Sequence, residues 1–112
     1  MNSFDLYSTL LARLSDLRNF MLTQDWIDAV SQAPPAEQKK AFNASFDVQH
    51  AINVLSNQIL SDIADEIAQE QDEIIKATND LSDSLQRFQR VSAVLDSIAK
   101  VLGVVGQIVS LV

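Results

Sequence analysis

The second half of the chain carries an apolar residue at every seventh position, Leu60, Ile67, Ile74, Leu81, Phe88, Leu95, Leu102 and Val109, without a miss. A seven-residue repeat keeps one stripe of a helix turned toward the same neighbour. The pattern therefore predicts an all-α protein, an elongated antiparallel bundle of two or three long helices with coiled-coil-like heptad packing. One position before this seam stand Ile59, Glu66, Glu73, Asp80, Arg87, Val94, Val101 and Ile108, and three after it stand Ile63, Glu70, Ala77, Ser84, Val91, Ile98, Val105 and Val112. Both flanking columns are polar in the middle and apolar at the ends. That predicts a narrow two-helix contact around Leu81 and burial on several sides after Val91. On this reading Leu95 is fully buried, whereas water reaches the neighbourhood of Leu81.

In the first half, Tyr7, Leu10, Leu11, Leu14, Leu17 and Met21 recur at helical spacing. Asn2 or Ser3 is placed to accept from the free amides of the first turn, with Asp5 adding favourable charge. The apolar stripe then drifts to Phe20, Ile27 and Val30, as a straight helix not held to a strict heptad requires. These positions predict one helix over 3–32. The Pro34–Pro35 pair sets a turn over 33–36, because residues before proline avoid the α region. A short helical turn over 37–43 follows, and Ser45, with Asp47 in its first turn, is the expected cap of a long helix over 46–102.

No Gly or Pro interrupts Ser45 to Leu102, and Asp72/Lys76, Asp83/Arg87 and Asp96/Lys100 stand at i,i+4 in the favourable orientation. The run Thr78 to Ser84, by contrast, is rich in residues that prefer caps and turns. Two readings follow. One is an unbroken or kinked helix of about 85 Å at 1.5 Å per residue; the other places a break near 78–84 and makes three arms of about thirty residues each. The unchanged heptad phase through Leu81 favours the first. A rod of that length leaves its stripe uncovered by the first arm and so predicts an oligomer.

At 112 residues the chain has room for a single helical domain, 1–112. Its net charge of −7 repels phosphate backbones and anionic headgroups and argues against nucleic-acid binding. The absence of cysteine removes disulfides, thiolate nucleophiles and cysteine-ligated zinc together. Met1 to Phe4 carries no basic leader and Asp5 follows at once, so no signal peptide is visible and a cytoplasmic protein is expected.

Eight acids, Asp62, Asp65, Glu66, Glu70, Asp72, Glu73, Asp80 and Asp83, stand against the single base Lys76. Glu66, Glu70 and Glu73 share a helix face, but carboxylate metal sites in bundles pair Glu with His three residues on. Here Glu66 is followed by Gln69 and Glu70 by Glu73, so a solvated acidic face is expected and a carboxylate metal-binding bundle is the weaker alternative. His50, the only histidine, has Asp47 as its one carboxylate in helical register, and nothing nominates a nucleophile for it to activate. The expectation is a protein without catalytic residues, cofactor or metal.

Trp26 is expected in the core, with a partner hot spot as the alternative. Asn43-Ala44-Ser45 fits a glycosylation acceptor, and Ser110-Leu111-Val112 fits a PDZ groove if it is a free C-terminus. Gly103 and Gly106 do not have the GxxxG spacing of packed membrane helices. Val101 to Val112 is uncharged but only about 18 Å long as helix, against about 30 Å of hydrocarbon. Extending it back to Val94 takes in Asp96 and Lys100, each costly in a bilayer.

These features predict a non-enzymatic helical interaction protein whose partner is another copy or a second helical protein. It self-associates through the seam and the apolar 91–112 segment, with Leu81, Phe88, Leu95, Leu102, Val105, Val109 and Trp26 at the interface. The alternative is a membrane-active helical protein, pore-forming or membrane-associating, that uses the same 91–112 segment; peripheral membrane contact is possible but not favoured.

Overall fold

The structure, a computed structural model, describes residues 2–111. Met1 and Val112 lie outside it, and with Val112 the final residue of the PDZ-type tripeptide. The described chain is all-α, with helices α1 (Ser3–Phe20), α2 (Gln24–Ser31), α3 (Pro35–Ser56), α4 (Leu60–Gln69), α5 (Gln71–Gln86) and α6 (Val91–Ile108). Its principal extents are 43 × 26 × 18 Å. The long rod of two or three helices is therefore replaced by a chain that folds back on itself several times.

Each fold-back has a local cause. Asn2 caps α1, its side chain accepting from the Asp5 amide at 2.8 Å, and the Ser3 hydroxyl donates to the Ala64 carbonyl at 3.1 Å, tying the start of α1 to α4. Leu6, Leu10, Leu14 and Leu17 form the buried stripe of α1, while Tyr7 is half-buried and donates its hydroxyl to the Leu55 carbonyl at 2.9 Å. The helix expected over 3–32 breaks at Met21–Thr23. Thr23 accepts from the Trp26 amide at 3.4 Å and donates to the Phe20 carbonyl at 2.7 Å, closing one helix and capping the next with one hydroxyl. The apolar drift at Phe20, Ile27 and Val30 is thus a change of helix, not a slow rotation of one stripe.

The proline boundary falls where the sequence places it. Ser31 ends α2 and Pro35 opens α3 at its first position, where a missing N–H costs nothing. Gln38 reaches back to the Ser31 and Ala33 carbonyls at 3.2 and 2.9 Å, satisfying acceptors that the end of α2 leaves free. From Pro35 the helix continues unbroken to Ser56, so the short turn over 37–43 and the new start at Ser45 do not exist; Ser45 bonds the Phe42 carbonyl at 2.7 Å from inside the helix.

The long helix over 46–102 is cut twice and bent once. Residues 57–59 separate α3 from α4, with Gln58 donating through its side chain to the Val54 carbonyl at 3.1 Å. Glu70 (φ −97°, ψ 13°) bends the chain between α4 and α5, while its amide still bonds Glu66 and its carbonyl still accepts from Ile74. Ile67 and Ile74 consequently face the same core. Through 78–84 the helix is unbroken, as the heptad phase favours, and the alternative break there is absent: Thr78 is buried inside α5 and bonds the Ile74 and Ile75 carbonyls at 2.7 and 3.1 Å. The turn lies instead at Arg87–Arg90. There α6 folds back on α5, and the Ser84 and Ser97 hydroxyls meet at 2.6 Å.

This turn resets the phase of the seam. Before it, Ile67, Ile74 and Leu81 are completely buried. After it, the buried stripe is Val91, Val94, Ile98, Val101, Val105 and Ile108, and the seam residues Phe88, Leu95 and Leu102 are only half-buried. Leu81 is deeper than Leu95, the reverse of the sequence expectation. α6 rests against α5 and α3 with smaller contacts to α4 and α2, so the most apolar helix lies among the others without being wrapped by them. The one ion pair among the described residues joins Arg13 and Asp16; Asp72/Lys76, Asp83/Arg87 and Asp96/Lys100 do not close.

Candidate protein-interaction surface

The α2–α3 hairpin exposes three large apolar side chains, Ile27, Phe42 and Phe46. The core side of α3 carries the small residues Ala41, Ala44, Val48 and Ala51, which lets that part of the helix lie close to its neighbours, and then Ile52 and Leu55. Its other face presents Phe42 and Phe46, one helical turn apart, at 64% and 62% exposure. Their rings meet edge-on at a centroid distance of 5.0 Å, a geometry that stabilises an aromatic pair beyond area alone. Phe42 forms one lip of a groove between the two helices. Ile27, Val30 and Ser31 form the other lip, and Met21, Trp26 and Ala41 lie deeper in it.

Trp26 is held there by aromatic contacts rather than exposed as an anchor. It is 4% exposed and lies 5.6 Å from Phe20 and 5.7 Å from Phe88, which themselves meet edge-on at 5.2 Å. The triad joins the end of α1, the first turn of α2 and the α5–α6 turn. The floor of the groove is therefore fixed to the core at the same place where the chain reverses into α6.

The other residues singled out in the sequence fall in different places. Leu81, Val105 and Val109 are buried within the fold. Leu95 and Leu102 line a second groove, between α3 and α6, whose walls carry Glu37, Lys40, Asp47 and Asp96. Glu66 and Glu73 are exposed and Glu70 is half-exposed; among the described residues no three His, Asp or Glu side chains converge as a metal site would need. Glu70, Glu73 and Asp80 instead flank a shallow groove beside Lys76 and Lys100. His50 is exposed, its Nε2 3.0 Å from the Leu111 carbonyl, which ties the chain's last described turn to α3. Asn43 lies inside α3. Gly103 and Gly106 lie on the exposed side of α6, where an added Cβ would meet nothing within 4 Å, so no packing within the chain requires them.

Phe42 and Phe46 escape the sequence reading. The signal was present: Ala41, Ala44, Val48 and Ala51 at helical spacing define one face of a continuous α3, and the two phenylalanines then fall on the other. Splitting the segment at Ser45 hides it. Compared with known proteins, the chain matches no family model, no curated protein and no solved structure.

Proposed function

We propose that this chain is a non-enzymatic helical interaction protein that self-associates through the α2–α3 face. The observation that carries the reading is the Phe42–Phe46 pair, almost two-thirds exposed, with Phe42 at the lip of an apolar groove. Two large aromatic side chains held in water by a rigid helix are unfavourable for an isolated domain, and contiguous exposed apolar surface marks contact sites. Aromatic residues are enriched at interface centres and dominate their energetics. The heptad seam is mostly enclosed by the chain's own helices, so the proposed contact moves from the seam to this face; of the seam, Leu95 and Leu102 remain within reach of a partner.

Sedimentation equilibrium at micromolar concentration tests the reading. The wild-type chain is expected above monomer mass, and the double variant Phe42→Ser/Phe46→Ser at monomer mass with its thermal transition nearly unchanged, because neither side chain contributes to the core. A wild-type monomer across the accessible concentration range refutes the proposal.

A second reading is supported by one observation: α6 spans 18 residues and is long and apolar enough to cross a membrane. Eight of those residues are buried against the other helices, and Asp96 and Lys100 are not among them, so insertion requires α6 to leave the core. Vesicle flotation of the intact chain separates the readings. Membrane activity predicts recovery with the lipid, whereas the interaction reading predicts protein remaining in the dense fraction.

A further inference from the structure

We propose that the groove between α3 and α6 is a docking site for a basic amphipathic helix of another protein. The floor of this groove is apolar, with Leu95 and Leu102 half-buried beside Ile98 and Ala99. Its walls carry Glu37, Asp47 and Asp96 against the single base Lys40, so three acids and one base leave the rim at −2. None of the four belongs to an ion pair among the described residues, and Asp47 and Asp96 are exposed. The α2–α3 groove is a separate surface: the two share no lining residue, and the one charged side chain that lines the α2–α3 groove is Lys39.

Shape and charge together select the occupant. The lining residues run over 37–47 in α3 and 92–102 in α6, which at 1.5 Å per residue makes each wall about 15 Å long, the length of about three turns of a third helix. Both walls are helices, and no sheet edge exists among the described residues, so an extended segment laid here gains no main-chain partner. A helix satisfies its own backbone. Apolar side chains at i, i+3, i+4 and i+7 then cover Leu95, Ile98 and Leu102, and Lys or Arg on either side of that stripe meets the three carboxylates. A second copy does not fit. Groove against groove sets a rim of −2 against another in a chain of net charge −7, and no described helix of this chain carries more bases than acids. The apolar floor supplies most of the affinity, while the rim steers the encounter and rejects acidic helices.

The test uses a fluorescein-labelled designed peptide of about four helical turns, with a Leu stripe at i, i+3, i+4 and i+7 and Lys on both flanks, titrated with the full chain and read by fluorescence anisotropy. Saturable binding is expected at low salt, weakening as salt rises. The same Leu stripe flanked by Glu is expected to bind at least about tenfold more weakly. Glu37→Gln/Asp47→Asn/Asp96→Asn, which neutralises the rim, is expected to weaken binding of the Lys peptide about tenfold. Asp62→Asn/Asp65→Asn/Glu66→Gln removes the same charge from exposed positions on α4 and is expected to change it less than about twofold. Leu102→Ser, which alters the floor at constant charge, is expected to weaken binding about tenfold as well, with circular dichroism as the check on folding of every variant. Phe42→Ser/Phe46→Ser is expected to bind the peptide as wild type does, so this site and the self-association face are read separately. No saturable binding below about 1 mM, or a Glu-flanked peptide that binds as tightly, overturns the proposal. So does an α4 variant that loses as much as the rim variant, which would show attraction to the charge of the whole chain, or binding that is lost in Phe42→Ser/Phe46→Ser, which would place the peptide on the other face.

Discussion

Leu81→Asp is expected to abolish the cooperative thermal transition, whereas Leu95→Asp leaves a folded protein. Leu81 is 0% exposed on the core side of α5. A carboxylate there must either be buried charged without a partner or take up a proton, and either way costs several kcal/mol against a typical total stability of about 5–15 kcal/mol. Arg13 lines the same small groove as Leu81 but is already paired with Asp16. Leu95 is half-buried in an open groove beside Lys40 and Asp96, where the new charge stays hydrated and the loss is the apolar contact alone, about 1–2 kcal/mol. Chemical denaturation of the two variants against wild type measures the difference. A larger loss at Leu95 would restore the sequence-based ranking and contradict the phase change at Arg87–Arg90.

The second large effect is expected at Trp26. Replacing it with alanine removes the shared member of the Phe20–Trp26–Phe88 cluster, opens a cavity at the junction of α1, α2 and the α5–α6 turn, and is expected to cost about 3–5 kcal/mol. Trp26→Phe keeps an aromatic ring in the cluster and is expected to cost less than half as much. Because Trp26 is the only tryptophan, wild-type fluorescence is expected to be blue-shifted in the native state and to shift red on unfolding in step with the loss of helicity. An alanine variant as stable as wild type would show that Trp26 is not part of the core that fixes the groove.

Much of the helical character was legible in the sequence, and the reasons for the misses are physical. The spacing of Leu10, Leu14 and Leu17 identifies a core face because the three lie in one helix, and that of Ile67, Ile74 and Leu81 does so because the bend at Glu70 keeps its backbone bonds to Glu66 and Ile74 and so preserves the helical phase. The prolines mark the α2–α3 turn because their ring constrains both their own backbone and that of the residue before. The other interruptions, at Met21–Thr23, residues 57–59 and Arg87–Arg90, leave no such mark. No described residue has a positive φ; every helix ends at a negative φ open to ordinary side chains, so none of these turns needed a glycine. The polar run Thr78–Ser84 misleads in the opposite sense, since the Thr78 hydroxyl bonds the preceding turn of its own helix and is satisfied in the interior. The seam crosses Arg87–Arg90 unbroken because Phe88 has its own use, in the aromatic cluster, at a position that happens to keep the count of seven. The exposed Phe42–Phe46 pair becomes visible only once α3 is recognised as one helix.

The reversal at Arg87–Arg90 folds much of the seam into one chain and leaves the α2–α3 face as the proposed surface for a second copy. A cysteine-free chain allows a direct measurement. The Ser84 and Ser97 hydroxyls lie 2.6 Å apart across the hairpin, whereas continuous helix over the same stretch would separate the two positions by about 20 Å. In the variant Ser84→Cys/Ser97→Cys under mild oxidation, rapid, near-complete formation of an intramolecular disulfide is expected, with no cross-linked dimer and with helicity retained. Persistent free thiols in a folded chain, or cross-links formed only between chains, would contradict it.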